Sequence, residues 1–246
     1  MFNPTVYVDD YLQEIEDGTR TVDEVANIVL DICREHEEPE IETKREELGE
    51  KEYILGHVVF QIVNAKSNEE KLKSIPYKKF EDLALIYRVR LSTKDGSCAS
   101  YILNSGVMQN AGITEEELEE AATRNTEADD YEIMTLGGIV SSITGMEQPE
   151  ESETMLVLTN KSRMYGATAI MLADCLRHVE KRLGGDFYIL PSSIHEVIAV
   201  PVSLGETEQL KEMVREVNNT QVAPQEVLGY EIYRYYGETG EVRVAA

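Results

Sequence analysis

Two stretches of this chain carry all of its net charge, and that segregation limits the possible folds more than any single motif does. Residues 1–50 contain 16 acidic and 4 basic side chains, and residues 111–153 contain 13 and 1, so each stretch stands at −12. Residues 51–110 stand at +3, residues 154–203 at +1 and residues 204–246 at −4. Carboxylates at this density cannot enter a low-dielectric interior unpaired, so they must gather in discrete exterior regions around an ordinary apolar core. With 42% hydrophobic residues in 246, such a core needs no disulfides. The overall charge of −24 argues against generic binding to DNA, RNA or an anionic membrane, because those surfaces require clustered Lys and Arg. Evenly spread, the charge would be screened within about 8 Å at physiological salt and would serve solubility alone. Its clustering is what makes it informative.

The three cysteines, Cys33, Cys98 and Cys175, are odd in number, far apart and without zinc-ligand spacing. They read as reduced thiols of a cytoplasmic protein. Asp9, Asp10, Glu14, Glu16 and Asp17 exclude a secretory signal, and the longest apolar run, residues 54–63, is too short to span a bilayer. The composition suggests an acidic helical N-terminal region over 1–50 followed by an α+β domain over 51–246, either as separate parts or folded as one unit.

Hydrophobic period and capping signals define the elements. An extended stretch over residues 3–8 and a helix over 9–16 open the chain. Thr21 with Glu24 forms a capping box ahead of an apolar stripe of Val22, Val25, Ala26, Val29, Ile32 and Cys33. Residues 37–52 are charge-dense. Strands are expected at 53–63, 83–91, 98–103, 131–136, 155–158, 187–190 and 195–202, with Asp95-Gly96 as a hairpin turn. Residues 68–74 form a short helix stopped by Pro76. Thr114 and Glu117 cap a second acidic helix over 114–125, whose outer positions are Glu115, Glu116, Glu119 and Glu120. Residues 138–153 show no decisive period. A long helix is expected over 161–183, ended by Gly184-Gly185, another over 206–217, and a terminal hairpin from 230–236 and 241–244. The sum is α+β, a largely antiparallel sheet with helices packed on one side.

The segment Leu158-Thr159-Asn160-Lys161 through Gly166-Ala167, followed by Ile189-Leu190-Pro191-Ser192-Ser193-Ile194-His195-Glu196-Val197, resembles a domain-of-unknown-function family of gut Firmicutes. Asn3-Pro4-Thr5-Val6-Tyr7, Gly112-Ile113-Thr114 and Val217-Asn218-Asn219-Thr220 fit the same pattern, so the resemblance covers nearly the whole chain. It implies a bacterial cytoplasmic protein and no assigned activity. Relatives carry residues ahead of the Asn-Pro-Thr motif, which implies that an N-terminal subregion is absent here.

Candidate chemistry sits in two places. Ser192, Ser193 and His195 invite a hydrolase reading. However, Ser193 and His195 on one strand would stand roughly 6–7 Å apart, whereas a Ser–His pair needs about 3 Å, and no Gly-x-Ser-x-Gly elbow exists. Asn160, Lys161, Arg163 and Tyr165 would open the long helix, where cations oppose the macrodipole and so hint at an anionic ligand or acidic partner. His36, His57, His178 and His195 are scattered; Asp174 and His178 share a helix face but make only two ligands, so no metal and no cofactor is expected. The reading favoured is a non-enzymatic binding or regulatory protein presenting acidic helices to a basic protein. The alternative is a hydrolase or anionic-substrate enzyme with its site at the 160–165 helix start and the 191–195 turn.

Overall fold

The computed structural model describes residues 11, 14–15, 17–35, 47–93, 99–145 and 154–245, with backbone alone at 32–35 and 142–144. Two compact units emerge, residues 1–44 with 91–99 and residues 45–90 with 100–246. The expectations for residues 3–8, for most of the 9–16 helix, for His36 and for Asp95, Gly96 and Cys98 lie outside the described residues, as does the environment of Cys33.

In the first unit, helix α1 (Val22–Glu35) begins at the capping box read from the sequence. The Thr21 N–H donates to Glu24 Oε2 at 2.7 Å, and the Glu24 N–H donates to Thr21 Oγ1 at 3.3 Å. The expected stripe is only partly realised. Val25 is buried and Val29 half-buried, while Val22 is 65% exposed and Ala26 is exposed as well.

The second unit holds two antiparallel sheets. Strands β1 (Val58–Asn64), β2 (Tyr77–Phe80), β3 (Leu83–Leu91) and β4 (Ala99–Ile102) form the first, with β3 between β1 and β2 and also paired with β4. Val58 faces Val89 and Asn64 faces Leu83 in register. The second sheet has six strands: β5 (Tyr131–Thr135), β6 (Leu156–Asn160), β7 (Phe187–Pro191), β8 (Val197–Pro201), β9 (Tyr233–Tyr236) and β10 (Glu241–Val244), ordered β10-β9-β7-β8-β6-β5. One apolar cluster joins the sheets, including Phe60, Ile62, Leu83 and Leu85 from the first and Leu158, Phe187, Ile189 and Tyr233 from the second. The Tyr233 hydroxyl donates to Asp82 Oδ1 at 2.5 Å across that layer.

The unit's α-helices are α2 (Lys51–His57), α3 (Glu69–Leu72), α4 (Ser105–Asn110), α5 (Glu115–Ala128), α6 (Leu136–Thr144), α7 (Ala173–Leu183) and α8 (Thr207–Gln221). The α+β class and the antiparallel pairing are as expected; the one-sided packing is not. Cys175, Leu176 and Val179 of α7 join the cluster that includes Phe187 and Ile189, whereas Leu210 and Val214 of α8 pack with Leu190 and Val200. Successive residues of a strand point to opposite faces, so the six-stranded sheet is covered on both.

Three local readings change. Residues 53–57 lie in a helix where a strand was expected, and carbonyls in the last turn of that helix are taken by side chains: Asn125 Nδ2, from a distant helix, donates to the Leu55 carbonyl at 3.1 Å, and His57 Nδ1–H, one turn on in the same helix, to the Tyr53 carbonyl at 2.8 Å. β2 has no alternating apolar signal. The long helix over 161–183 does not exist: α7 starts at Ala173, after a 3₁₀ segment at Gly166–Met171 and a loop at 161–165. Its end is as read, with Gly184 at φ 83° and the Gly184 and Gly185 N–H groups both donating to the Glu180 carbonyl.

Burial of Cys175 pushes its thiol up to about 12, so it is protonated at neutral pH and shielded besides. In a C33S/C98S variant, this remaining thiol is expected to resist an aromatic disulfide reagent at pH 8 and to react only as fast as the protein unfolds. Labelling at the rate of a free thiol would place Cys175 outside the core.

Candidate functional site

The loop after β6 is built around Asn160, whose side chain is 5% exposed. Its Nδ2 donates to the Met164 carbonyl at 2.9 Å, and its Oδ1 accepts from the Met164 N–H at 3.2 Å and from the Ser162 hydroxyl at 3.1 Å. A short amide side chain that takes over backbone bonds in this way competes with helix formation. The chain instead turns through left-handed conformations at Arg163 (φ 54°) and Tyr165 (φ 58°) and arrives at Gly166. A Cβ on Gly166 would stand 2.1 Å from Thr159 Oγ1 and 2.6 Å from both the Asn160 nitrogen and the His195 oxygen. Glycine is therefore required by close approach, and the junction between the 160–166 loop and the 191–195 turn is filled by protein.

Tyr165 projects into this junction. Its ring stacks on His195 with centroids 5.6 Å apart, and the Arg88 guanidinium lies 4.5 Å from its centroid. Arg88 comes from β3 of the other sheet, where its Nη1 donates to Gln61 Oε1 at 3.1 Å and its Nε to Ser100 Oγ at 3.0 Å. The stack of Arg88, Tyr165 and His195 thus ties the two sheets through a cation–π and ring contact. His195 Nδ1 accepts the Tyr165 N–H at 3.2 Å, so in the neutral ring the hydrogen sits on Nε2, 3.7 Å from Glu226 Oε1.

Ser193 is 6% exposed and fully engaged. Its hydroxyl donates to Glu196 Oε1 at 2.8 Å and accepts the His195 N–H at 3.0 Å. Ser192 points to the same carboxylate at 3.4 Å. The serines satisfy a turn; neither reaches the imidazole, and no Ser–His nucleophile pair forms here. Lys161 and Arg163 face away from the junction. Lys161 Nζ pairs with Asp130 Oδ2 at 2.5 Å, and Arg163 Nη2 with Glu132 Oε2 at 3.2 Å. The Lys161 ammonium holds the Asp130 carboxyl below the usual carboxylate range, and Asp130 in turn raises Lys161. These cations do not stand at a helix start, and their charge is answered by strand β5 and the residue before it. Of the residues singled out in sequence, the structure brings Asn160, Tyr165, Ser192, Ser193 and His195 together and separates Lys161 and Arg163 from them. Arg88, Gln61, Glu196 and Glu226 belong to the same assembly and were missed. The signal available was Gln61 and Arg88, polar residues interrupting otherwise apolar strands.

The acidic helix α5 is a second, separate feature. Its capping box is complete: the Glu117 N–H donates to Thr114 Oγ1 at 3.2 Å, and the Thr114 N–H to Glu117 Oε2 at 3.0 Å. Leu118, Ala121, Ala122 and Thr126 are buried beneath it. Lys51 Nζ reaches Glu117 Oε1 at 2.6 Å, and Lys78 pairs with Glu119. Outward, Glu115, Glu116, Glu119, Glu120, Arg124 and Glu127 line an open groove. Glu115, Glu116, Glu120 and Glu127 form no ion pair with any described residue. The field of this face reaches inward: Tyr87 is pushed up to about 12, by burial first and then by the charges of Glu119 and Glu115.

Among the described residues no group of three or more His, Cys, Asp or Glu is placed to hold a metal ion, and no helix is long and apolar enough to cross a membrane. Asp174 and His178 are engaged separately, Asp174 with Arg177 and His178 Nδ1 with the Tyr131 hydroxyl.

Two outcomes check this geometry. Gly166→Ala is expected to cost about 1–3 kcal/mol or more by overpacking, read as a lower Tm, with Gly184→Ala as a comparison set by backbone strain alone. Lys51 first, and then the Thr114 N–H, hold the Glu117 carboxyl below its ordinary 4.5. A carboxyl depressed in the folded state adds stability above its unfolded pKa and loses it as pH falls through the folded value. The stability gap between wild type and Glu117→Gln should therefore be open at pH 7 and close progressively below about pH 4.5. A gap independent of pH would show that the pairing contributes nothing.

Comparison with known proteins matches a model of a family of unknown function, DUF5688, over residues 1–236. No curated protein and no solved structure matches.

Proposed function

Because the chain belongs to that family of unknown function, whose description assigns no chemistry, we propose from the geometry alone that it is a binding or regulatory protein that presents the acidic face of α5 to a basic protein partner. The carrying observation is that Glu115, Glu116, Glu120 and Glu127 form no ion pair with any described residue and line an open groove on a helix whose other side is locked into the core. Carboxylates held in place by a capped, buried helix lose little freedom when a partner's lysines and arginines arrive, so their charge converts into affinity and on-rate. A mobile acidic tail would forfeit much of that gain to ordering. The same reading keeps the protein in the bacterial cytoplasm, on its sparse, widely separated cysteines.

The test compares two charge reversals of equal size. A labelled helical peptide carrying four lysines is titrated against wild type, against E115K/E116K/E120K, and against E208K/E212K/E216K on the exposed side of α8. At 150 mM salt the α5 variant is expected to lose at least tenfold in affinity and the α8 variant less than twofold. Equal losses would reduce the effect to bulk charge and overturn the proposal.

A further inference from the structure

The two outer edges of the first sheet are treated differently. The β1 edge is sealed by α5: the Phe60 N–H donates to Thr126 Oγ1 at 3.0 Å, and Asn125 Nδ2 donates to the Val58 carbonyl at 2.8 Å. At the opposite edge, β2 pairs with β3 on one side, and no described strand or side chain takes the backbone groups on the other. In an antiparallel strand alternate residues direct both N–H and C=O outward, so four residues offer roughly four hydrogen bonds to an added strand.

Beside this open edge runs a groove of about 510 Å³, between β2 and the crossover that carries α3. Lys66, Lys73 and Lys79 line it against one carboxylate, Glu69, with Leu72 and the 49%-exposed Tyr77 supplying apolar surface. Lys73 pairs with Glu70, but Lys66 and Lys79 form no ion pair with a described residue. Tyr77 and Lys79 share a strand face, as period-two alternation requires, whereas Lys78 belongs to the other face and is occupied by Glu119. Five lysines fall between residues 66 and 79 in a chain with 23 bases and 47 acids.

We propose that the β2 edge and its lysine-lined groove form a docking site for an acidic, extended segment of a partner protein, which adds as a further strand while its carboxylates meet Lys66 and Lys79. Edge lysines ordinarily keep other strands away, since burying an unmatched ammonium in a new pairing is costly. That penalty reverses sign for a strand that brings carboxylates, so the same residues exclude neutral strands and admit acidic ones. The chain's overall negative charge does not prevent this, because charges beyond about 8 Å are screened at physiological salt and the groove is judged by its own lysines.

The probe is a fluorescein-labelled, end-blocked octapeptide alternating Glu and Val, followed by anisotropy against the full chain at 150 mM salt. Saturable binding is expected, weakened at least tenfold by K66E/K79E and less than twofold by K181E/R182E, an equal charge change on exposed positions of α7. A peptide of the same composition with alternate backbone nitrogens methylated is expected to bind at least tenfold more weakly, since it cannot complete the ladder. Circular dichroism of each variant confirms that it folds, and K66Q/K79Q replaces the double reversal if it does not. Absence of saturable binding to wild type, equal losses in the two charge variants, or equal affinity for the methylated peptide would each overturn the proposal, leaving the lysines as guards of the edge alone.

Discussion

A strand buried on both faces still has an edge, and its backbone groups must be answered there. β1 meets this requirement with side chains: Thr126 and Asn125 of α5 bond to Phe60 and Val58. Leaving buried backbone groups unmet costs about 1–3 kcal/mol apiece, so α5 has one rotation and one height at which it can lie. Asn125 also holds the Leu55 carbonyl at the end of α2, which makes one helix responsible for closing a sheet edge and terminating its neighbour.

The acidic surface follows from that placement. Once Leu118, Ala121, Ala122 and Thr126 face inward, the remaining positions of a 3.6-residue period have to face out, and those are the glutamates. Lys51 and Lys78, from two other elements, neutralise Glu117 and Glu119 at the margin, and no described cation pairs with Glu115, Glu116, Glu120 or Glu127. The opposite edge of the sheet is closed by no helix among the described residues. Its lysines stand where α5 would otherwise be needed, so the unequal treatment of two edges produces both an acidic and a basic surface in one unit.

The junction of loop 160–166 with turn 191–195 is ruled by proximity. The Thr159 hydroxyl donates to the His195 carbonyl at 2.8 Å, Tyr165 packs between Arg88 and His195, and Gly166 leaves no space for a methyl group. Polar residues that look reactive in a sequence are here consumed in holding two sheets together. Ser193 shows the difference most directly, since its hydrogen goes to Glu196 and its lone pair to the His195 amide.

What the sequence determined were features whose physics is local. Thr21 with Glu24 and Thr114 with Glu117 close their boxes within one helical turn, Gly184 ends α7 at a positive φ, and the strand expected over 83–91 has the bounds of β3. The exterior position of the α5 glutamates was legible for the same reason, as a charge penalty that needs no knowledge of neighbours. Tertiary structure decided the rest. Residues 53–57 lie in a helix whose Leu55 carbonyl is met by Asn125, seventy residues away in sequence. Residues 161–172 do not extend α7 toward the N-terminus, because Asn160 and the contact at Gly166 fix a tighter path, a loop and then a 3₁₀ turn, than their apolar spacing suggests. Whether an edge is sealed or open, and whether a serine faces a histidine or a glutamate, depends on groups far away along the chain, and no local period encodes them.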